Sequence, residues 1–531
     1  MIYNTLIIGG GIAGIMTLKH LIDEGEKNVI VLNKNKQPFG IWDVNNHPSV
    51  LNSTYSVSSR LYLTITDFPM DDSYPEFPHA SIIFQYYKDY AKHFDLYKYI
   101  HNDIEVIKCT KINNIWNITI SDNKIYYAKN LVVATGATNS CLNYPDEPFF
   151  KNFTGTAFHS DNYKTYQGKI KDKKILIIGG SDTSCDIAVE LGRNRLNKVY
   201  LSMKNGRWFQ PRNTGANIAA DSFYSRILDF YVKNIIGKKY INNIFGHSFI
   251  DLAYGTGGSG IKEWEPKCDY LNDYYIKSRD IINSVSIGEI FPKSYVENIK
   301  NNEIKFLNKD GYEKFDIIIY ATGYKTNECF YFLDKKHDKR YKFIYSPEEP
   351  NIFFVGFVRP YLTSIPMLIE LQSRWVAKII TNKVSLPNKH NMVKEIEYDM
   401  EKQKKEFPCA YKRIPIVDPY DYSDMIATKI GAKPNLVKLF FTNRPLWDKI
   451  MYDSWTHHIY RLNDPDPKKV KIAMDNIEIN HHTRISFKIR QVKRSLFINT
   501  KKVIFNTILK IFIITVILIE LISYIKYKYN K

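Results

Sequence analysis

The hydrophobic pattern of the first thirty residues predicts a strand, a turn, a helix and a second strand. An apolar run at 3–8 is followed by glycines at 9, 10, 11 and 14, and residues 15–25 then carry apolar side chains at helical spacing. A second apolar run follows at 28–32. In this order of elements a G-x-G-x-x-G turn binds the diphosphate of a dinucleotide.

Each glycine of this turn has a physical role. Gly9 permits the tight turn, Gly11 lets the backbone approach a diphosphate, and Gly14 lets the helix pack against the strand. The free N–H groups at the start of the helix, around Ile12 and Ala13, then bind phosphate. The sequence therefore predicts a dinucleotide site at this turn.

A second turn of this kind is predicted later in the chain. Residues 174–178 are apolar, a Gly-Gly-Ser segment follows, and residues 185–194 have helical spacing. Ser181 and Ser184 replace the second and third glycines, so their β-carbons crowd the phosphate position, although a hydroxyl can donate to phosphate. Lys204 and Arg207 are placed to meet a ribose 2′-phosphate, or they belong to an ordinary solvated loop. The candidate nucleotide-binding residues here are Gly179, Ser181, Asp182, Thr183, Ser184 and Lys204.

Two further strands end in the same three residues. Apolar runs close on Ala-Thr-Gly at 134–136 and at 321–323. Small residues let a strand end beside a bound nucleotide without obstruction, which adds Thr135, Gly136 and Gly323 to the candidate cofactor-binding residues. A chain with two such starts and two such ends resembles the two-dinucleotide-domain flavoproteins. The resemblance implies an α/β fold with two Rossmann-like domains, the second inserted in the first.

Composition narrows the class of protein. Of 531 residues, 44% are hydrophobic and 24% charged, which excludes disorder as the main state. Six scattered cysteines, none in C-x-x-C, argue against a disulfide framework, dithiol chemistry or a structural zinc, and favour a reducing compartment. We predict no metal site. The many Tyr and Phe residues spread through the whole chain, so packing explains them better than a base-stacking surface.

The net charge of +19 is concentrated toward the C-terminus. No acidic residue lies between 481 and 520, and an apolar run fills 511–519. We interpret residues 501–531 as a helix that binds an anionic lipid membrane, either spanning it or lying in its interface, because Lys510 and Glu520 are costly inside a bilayer. The basic flank disfavours a buried core helix, and the charge indicates lipid rather than nucleic acid.

A longer motif makes the resemblance specific. Residues 153–164 match F-x-G-x-x-x-H-x-x-x-Y-K, which identifies flavin-containing monooxygenases, and Tyr163 favours that family over the related Baeyer–Villiger enzymes. Other matching segments follow in the family's order: Gly40-Ile41-Trp42, Asp67-Phe68-Pro69, residues 91–96, residues 321–324, and residues 370–375 with Gln372. The chain therefore resembles a divergent member of this family over about residues 5–380.

The resemblance implies the cofactors FAD and NADPH. In that family NADPH reduces the flavin, dioxygen adds to it, and the flavin C4a-hydroperoxide transfers one oxygen atom to a nitrogen or sulfur nucleophile of a small molecule. The cofactor carries the chemistry, so no catalytic residue is named, and His159 is interpreted as structural. Gly40, Ile41, Trp42, Ser58 and Gln372 join the candidate cofactor-binding residues.

Three departures from the family pattern raise alternatives. Asn33 stands where the family has a Glu for the FAD ribose, Val57 stands where it has an Asn beside the flavin, and Ser181 replaces a glycine. Losing one charge-stabilising donor in a dry site costs ~3 kcal/mol, so Val57 and Ser58 are the candidates to examine near the flavin. The alternatives are an NADPH oxidase-like flavoprotein that releases hydrogen peroxide, and a non-catalytic FAD-binding scaffold.

We predict the following organisation along the chain. The FAD-binding domain comprises 1–166 and a return segment at 319–450, the NADP-binding domain 167–318, a basic linker region 451–500, and the C-terminal membrane anchor 501–531. The globular part is expected to be cytosolic and membrane-associated. The family resemblance implies the endoplasmic reticulum if the host is eukaryotic.

Overall fold

The computed structural model describes most of the chain. The described residues are 1–137, 141–193, 195–213, 219–240, 242, 261–273, 275–278, 280–325, 329–408 and 414–482. The predicted membrane anchor at 501–531 lies outside them. Within the described residues, no helix is both long and apolar enough to cross a membrane.

Strands occupy mainly the first two thirds of the chain. In chain order the described strands are β1 (Ile2–Ile8), β2 (Val29–Leu32), β3 (Ile100–His101), β4 (Val106–Ile112), β5 (Ile115–Ile120), β6 (Ile125–Val133), β7 (Thr156–His159), β8 (Lys174–Ile178), β9 (Lys198–Ser202), β10 (Ile290–Lys293), β11 (Val296–Lys300), β12 (Glu303–Phe306), β13 (Glu313–Lys314), β14 (Ile317–Tyr320), β15 (Ile352–Phe354), β16 (Arg359–Pro360) and β17 (Ile416–Val417).

Helices cover the sheets and form most of the C-terminal third. The described α-helices are α1 (Ile12–Asp23), α2 (Arg60–Leu63), α3 (Ala80–His93), α4 (Tyr163–Tyr166), α5 (Asp182–Arg193), α6 (Arg226–Tyr231), α7 (Asp280–Ser286), α8 (Ile365–Ile380), α9 (Lys389–Glu406), α10 (Pro419–Lys429), α11 (Leu436–Thr442), α12 (Arg444–Tyr452) and α13 (Pro467–His482). Short 3-10 helices include Gly40–Trp42 and His457–Arg461.

Two parallel sheets organise the molecule, which confirms the predicted α/β fold. The first has the parallel order β3-β2-β1-β6, and β15 also pairs with β6 in parallel. The strands β5 and β4 extend this sheet beyond β6 by antiparallel pairing. The second has the parallel order β10-β9-β8-β14-β7. After β14 the chain returns to the first sheet through β15, so the second sheet is inserted in the sequence of the first.

The two predicted turns are built alike. The N–H of Gly9 donates to Leu32 on the neighbouring strand at 2.9 Å, and the N–H of Ala134 donates to Ile8 at 2.8 Å. In the second sheet the N–H of Gly179 donates to Ser202 at 3.0 Å. The N–H of Ala321 likewise donates to Ile178 at 2.8 Å. Each glycine turn therefore lies against one Ala-Thr-Gly strand end.

A buried ionic cluster joins the first sheet to the C-terminal third. The guanidinium of Arg461 lies 2.8 Å from Glu370, 2.9 Å from Asp464 and 3.4 Å from Asp67. Arg461, Glu370 and Asp67 are almost completely buried. Burial alone raises the pKa of Glu370, but the charge of Arg461 opposes it and holds that pKa well below its usual value. The cluster thus contains ionised carboxylates that depend on Arg461.

The cluster explains two of the sequence motifs. Asp67 belongs to the Asp-Phe-Pro motif, and Glu370 belongs to the motif at 370–375 on α8. Arg461 lies in the 3-10 helix His457–Arg461, whose residues are all buried. The range assigned by sequence to a basic linker therefore contributes a buried cation to the core.

Cys268 is disulfide-bonded. The sequence analysis did not predict this bond, because sequence spacing does not reveal which cysteines the fold brings together.

Replacing Arg461 with Met is expected to destabilise the protein by about 3–5 kcal/mol, because Glu370 would lose the cation that lies 2.8 Å from it inside the core, while Asp67 would keep only Lys19. Thermal unfolding followed by circular dichroism measures the effect. Arg444→Met is the matched control, since Arg444 pairs with Asp448 on the surface, where such pairs contribute about 0–1 kcal/mol. Equal unfolding temperatures for the two variants would contradict the role given to the cluster.

Candidate functional site

One continuous cavity of about 470 Å³ extends from the first glycine turn to the start of α5 in the second sheet's domain. Of the residues predicted to bind cofactor or to lie near it, the cavity is lined by Gly9, Gly11, Ile12, Ala13, Asn33, Gly40, Ile41, Trp42, Val57, Ser58, Thr135, Gly136, Asp182 and Thr183. The structure therefore brings the first turn and the helix start that follows the second turn to a single cavity. Predicted residues outside its lining are Gly14, Gly179, Ser181, Ser184, Lys204, Gly323 and Gln372.

The first turn leaves open space for a ligand at one position only. A β-carbon added to Gly9, whose φ is +106°, would lie 2.5 Å from the carbonyl oxygen of Ala134. One added to Gly14 would lie 2.0 Å from the carbonyl oxygen of Gly9. At Gly11 the nearest atom is the Cα of Gly40, at 3.8 Å, and the residue faces the cavity. Gly9 and Gly14 are thus required for packing, and Gly11 for approach to the ligand.

The start of α1 is free to bind an anion. No side chain caps this helix at Gly11, so its first N–H groups face the cavity without an internal partner of that kind. The hydroxyl of Thr135 on the facing strand end is buried and has no hydrogen-bond partner among the described residues. These polar groups fit the diphosphate and ribitol of a dinucleotide.

Asn33 supports this turn with both ends of its amide. Its oxygen accepts from the N–H of Gly10 at 3.3 Å, and its nitrogen donates to the carbonyls of Asn35 and Gln37 and to Asn102. The side chain therefore holds the loop after β2 against the turn. That loop continues into the 3-10 helix Gly40–Trp42.

The second turn keeps the backbone geometry but not the open helix start. A β-carbon at Gly179 would lie 2.2 Å from the carbonyl oxygen of Ala321, as at Gly9 in the first turn. However, the hydroxyl of Ser184 accepts from the N–H of Ser181 at 3.0 Å. It also donates to the Ser181 carbonyl at 2.7 Å. An N–H group that would face a phosphate is thereby bound within the protein.

The basic residues after β9 are paired with carboxylates. The ammonium of Lys204 lies 2.7 Å from Glu147, outside the cavity. The guanidinium of Arg207 lies 2.6 Å from Asp273, and its Nε donates to the carbonyl of Gly180 at 3.1 Å. Both side chains therefore have partners within the protein, and the predicted role of Lys204 toward a 2′-phosphate stays a prediction.

Gln372 lies within the core rather than at the cavity. Its carbonyl oxygen accepts from the N–H of Gly356 at 3.0 Å, and its amide donates to the hydroxyl of Tyr422 at 2.8 Å. Gln372 thus fixes the chain after β15 against α8 and α10.

The long motif at 153–164 connects the two domains. His159 is fully buried, its Nε2 lies 3.0 Å from the Gly323 carbonyl, and its Nδ1 accepts from the N–H of Asp161. The Tyr163 hydroxyl donates to Glu190 on α5 at 3.0 Å, and Lys164 donates to backbone carbonyls of the loop at 44–47. With both ring nitrogens of His159 engaged, these contacts make the motif a structural joint.

The far end of the cavity, which we call the domain junction, is formed by Val57, Ser58, Thr363 and Lys277. The Ser58 hydroxyl donates to the Thr363 carbonyl at 3.0 Å, and the Lys277 ammonium lies 3.4 Å from the same oxygen. Thr363 has a φ of +70°, which is strained for a β-branched residue. The sequence analysis missed Thr363 and Lys277, since neither belongs to a motif.

Asp186 is the other ionisable group at this end of the cavity that the sequence analysis missed. Burial raises its pKa to about 7, with the charge of Asp182 adding to the effect. The carboxyl therefore changes its charge near neutral pH. A helical spacing of four residues from Asp182 is the signal by which the sequence could have identified it.

His20, Asp23 and Asp67 form a group of potential metal ligands within 4.8 Å of one another, judged over the described residues. Its centre is taken by the Lys19 ammonium, which lies 2.7 Å from Asp23 and is also paired with Asp67. The group is therefore an ion-pair cluster of the protein itself.

Comparison with known proteins agrees with this geometry. The family model for flavin-binding monooxygenase-like proteins matches residues 4–526. The chain belongs to this family. Curated relatives include mouse dimethylaniline monooxygenase [N-oxide-forming] 2, which is 27% identical over 488 residues, covering 88% of this chain and 89% of the relative. Human flavin-containing monooxygenase 5 is 27% identical over 485 residues, covering 86% and 88%.

Solved structures share the fold. S-allyl-L-cysteine S-oxygenase from Allium sativum has a TM-score of 0.57 at 18% identity, covering 90% of this chain and 99% of that one. Cyclohexanone monooxygenase from Rhodococcus sp. Phi1, bound to NADP⁺, has a TM-score of 0.58 at 16% identity, covering 81% and 98%. The protein is an FAD- and NADPH-dependent monooxygenase of this family, which confirms the predicted family and cofactors.

From the geometry of the first turn we predict that Gly11 is needed for ligand binding and Gly14 for folding. Gly11→Val is expected to lose FAD while the apoprotein keeps its unfolding temperature, because the new side chain enters the cavity rather than the core. Gly14→Ala is expected to lower the unfolding temperature as well, since its β-carbon meets the Gly9 carbonyl. Flavin absorbance and thermal unfolding measure the two properties, and FAD retained by Gly11→Val would contradict the assignment.

From the raised pKa of Asp186 we predict that NADP⁺ binding depends on pH. Below pH 7 the carboxyl is neutral, and above it a negative charge appears in a cavity that takes a phosphate-bearing ligand. From pH 6 to pH 8 the affinity for NADP⁺ should therefore fall more in the wild type than in Asp186→Asn, by about tenfold. Isothermal titration calorimetry at both pH values measures the affinity for NADP⁺. The 2′-phosphate of the ligand titrates equally in both proteins, so the difference between them reports the carboxyl of Asp186. Parallel pH profiles would exclude the carboxyl.

Proposed function

We propose that this enzyme uses NADPH and dioxygen to oxygenate a nitrogen or sulfur nucleophile of a small molecule. The observation that carries the proposal is the single cavity lined both by the first turn and by the start of α5, because hydride transfer from NADPH to FAD requires the two cofactors to meet. A curated relative is described as N-oxide-forming and a solved structure of the same fold as an S-oxygenase. Both names support a nitrogen or sulfur substrate.

The residues proposed to hold FAD are those of the first turn and the loops around it. Gly11 and the N–H groups at the start of α1 would bind the diphosphate, and Gly40 and Trp42 line the cavity beside them. When bound and reduced, FAD supplies the activation of dioxygen. The protein's own contribution is to orient the cofactor and to exclude water from the domain junction.

The residues proposed to hold NADPH lie at the start of α5. Asp182 and Thr183 line the cavity there, while Ser181 and Ser184 satisfy each other. Asp182 accepts from the N–H of Lys277 at 2.9 Å, so a carboxylate occupies the start of the helix. We infer a weaker hold on the phosphates than an open glycine turn gives.

A specific observation favours a second function. Val57 lines the cavity at the domain junction and offers no hydrogen-bond donor to a reacting oxygen. An NADPH oxidase-like activity that releases hydrogen peroxide is therefore the alternative.

We also propose that residues 501–531 anchor the protein to an anionic membrane and that the globular part is cytosolic. The basic and apolar composition of that segment supports this, and so does its inclusion in the family match. The endoplasmic reticulum is the proposed location if the host is eukaryotic. The domain limits that we propose are those stated at the end of the sequence analysis.

The test uses the purified full chain with bound FAD. NADPH is added without oxygen, and oxygen is then admitted with N,N-dimethylaniline or methyl phenyl sulfide as the probe. We expect the flavin absorbance to bleach and an N-oxide or sulfoxide to form. Hydrogen peroxide in amounts equal to the NADPH consumed would instead support the oxidase, and absence of bleaching would leave the scaffold.

Val57→Asn is expected to raise the amount of oxygenated probe formed per NADPH and to lower the hydrogen peroxide formed. One added donor at a dry reaction site contributes ~3 kcal/mol, so the rate of oxygenation should rise by at least about tenfold. Val57→Leu is the matched control, because Leu has the shape of Asn without its donor. The same product yield in both variants would mean that position 57 does not contact the reacting oxygen.

A further inference from the structure

Lys277 is a half-buried cation that the proposed function does not use. It lines the main cavity at the domain junction and also a small second cavity, and Val57 lines both as well. Its backbone N–H donates to Asp182 on α5, and its ammonium lies 3.4 Å from the Thr363 carbonyl of the other domain. One residue thus reaches from the second nucleotide turn to the strained segment before α8.

The surroundings of Lys277 are rich in carboxylates. Asp182 and Asp186 line the same cavity, and Asp221 lines the small one. One oxygen of Asp221 accepts from the N–H of Ser59 at 2.8 Å, and the other has no hydrogen-bond partner among the described residues. Burial raises the pKa of Asp221, and the charge of Lys277 opposes that rise. The cation and this carboxylate therefore stabilise each other's charged forms.

This arrangement matters for the reduction of a flavin. A hydride carries two electrons and one proton, so its transfer converts NADPH to NADP⁺ and gives the reduced FAD one negative charge. Three carboxylates near the junction oppose that new charge, and the ammonium of Lys277 in the main cavity offsets them. Arg359 also lines the cavity, but its guanidinium lies 3.9 Å from Asp182 and serves that carboxylate.

We propose that Lys277 sets the reduction potential of the bound FAD: its ammonium, held at the junction by the Thr363 carbonyl and bordering the small cavity that Asp221 also lines, stabilises the negative charge of the reduced flavin. The inference rests on the proposed function only in requiring FAD to lie with its ring at the junction. Thr363 is the residue that positions the ammonium. Its carbonyl accepts from both the Lys277 ammonium and the Ser58 hydroxyl.

The experiment measures the potential of the FAD-bound full chain against reference dyes. Lys277→Gln is expected to shift the equilibrium toward oxidised FAD by about tenfold, which is about 30 mV for a two-electron couple. Asp221→Asn is expected to shift it in the opposite direction, because the amide oxygen still accepts from Ser59 while the opposing charge is removed. Lys305→Met is the matched control, since Lys305 lies on a surface strand of the same domain and pairs with Glu297.

The outcomes separate the possibilities. Opposite shifts in Lys277→Gln and Asp221→Asn support the inference, and a Lys277→Gln potential equal to that of Lys305→Met overturns it. If Lys277→Gln retains no FAD, Asp221→Asn decides alone: a higher potential supports the inference and an unchanged one overturns it. Failure of the oxygenation proposal would appear separately, as missing product in a wild-type protein whose potential is still measurable.

Discussion

The close approach of each glycine turn to an Ala-Thr-Gly strand end is the constraint on which the structure of the site depends. A single β-carbon at Gly9 or Gly179 would lie within 2.5 Å of a backbone carbonyl, so neither turn tolerates a side chain there. The contact fixes where α1 and α5 begin, and the two helix starts therefore reach the same cavity from two different sheets. Cofactor binding follows from this packing, because an open helix start is itself an anion site. Beyond this shared backbone contact, the two turns differ only in the contacts that their side chains make at the helix starts.

The contrast between the turns shows how a common backbone is specialised. At the first turn Gly11 leaves space and α1 has no side-chain cap. At the second, Ser184 binds the N–H of Ser181, and Asp182 places a carboxylate at the helix start. A permanent cofactor suits the open turn, and a nucleotide that must leave after each reaction suits the more hindered one. The long motif at 153–164 then connects the two domains, since His159 and Tyr163 are fixed within the second sheet's domain and Lys164 donates to the carbonyls of Val44 and His47 in the first.

The part of this organisation that depends on local sequence could be predicted, and the part that depends on contacts between distant segments could not. Glycine spacing and apolar runs locate both turns, because φ angles and backbone crowding are set within a few residues. The position of Gln372 in the core was not predictable, since its partners Gly356 and Tyr422 are distant in the chain. Lys277 and Thr363 escaped detection for the same reason. The pairing of Lys204 with Glu147 likewise becomes visible only in the fold.

Charge distribution connects the core to the site. In the core, Arg461 compensates the carboxylates of Asp67 and Glu370, and removing it would leave Glu370 without its ion-pair partner and Asp67 with Lys19 alone, in surroundings that solvate charge poorly. At the junction Lys277 likewise compensates the carboxylate of Asp221, but this pair borders a cavity. A charge added to the cavity changes the balance there and not in the core. The core cluster is therefore suited to holding the C-terminal third in place. The junction pair is suited to stabilising a negative charge that is added to the cavity, which is the property that a redox enzyme needs where its two cofactors are proposed to meet.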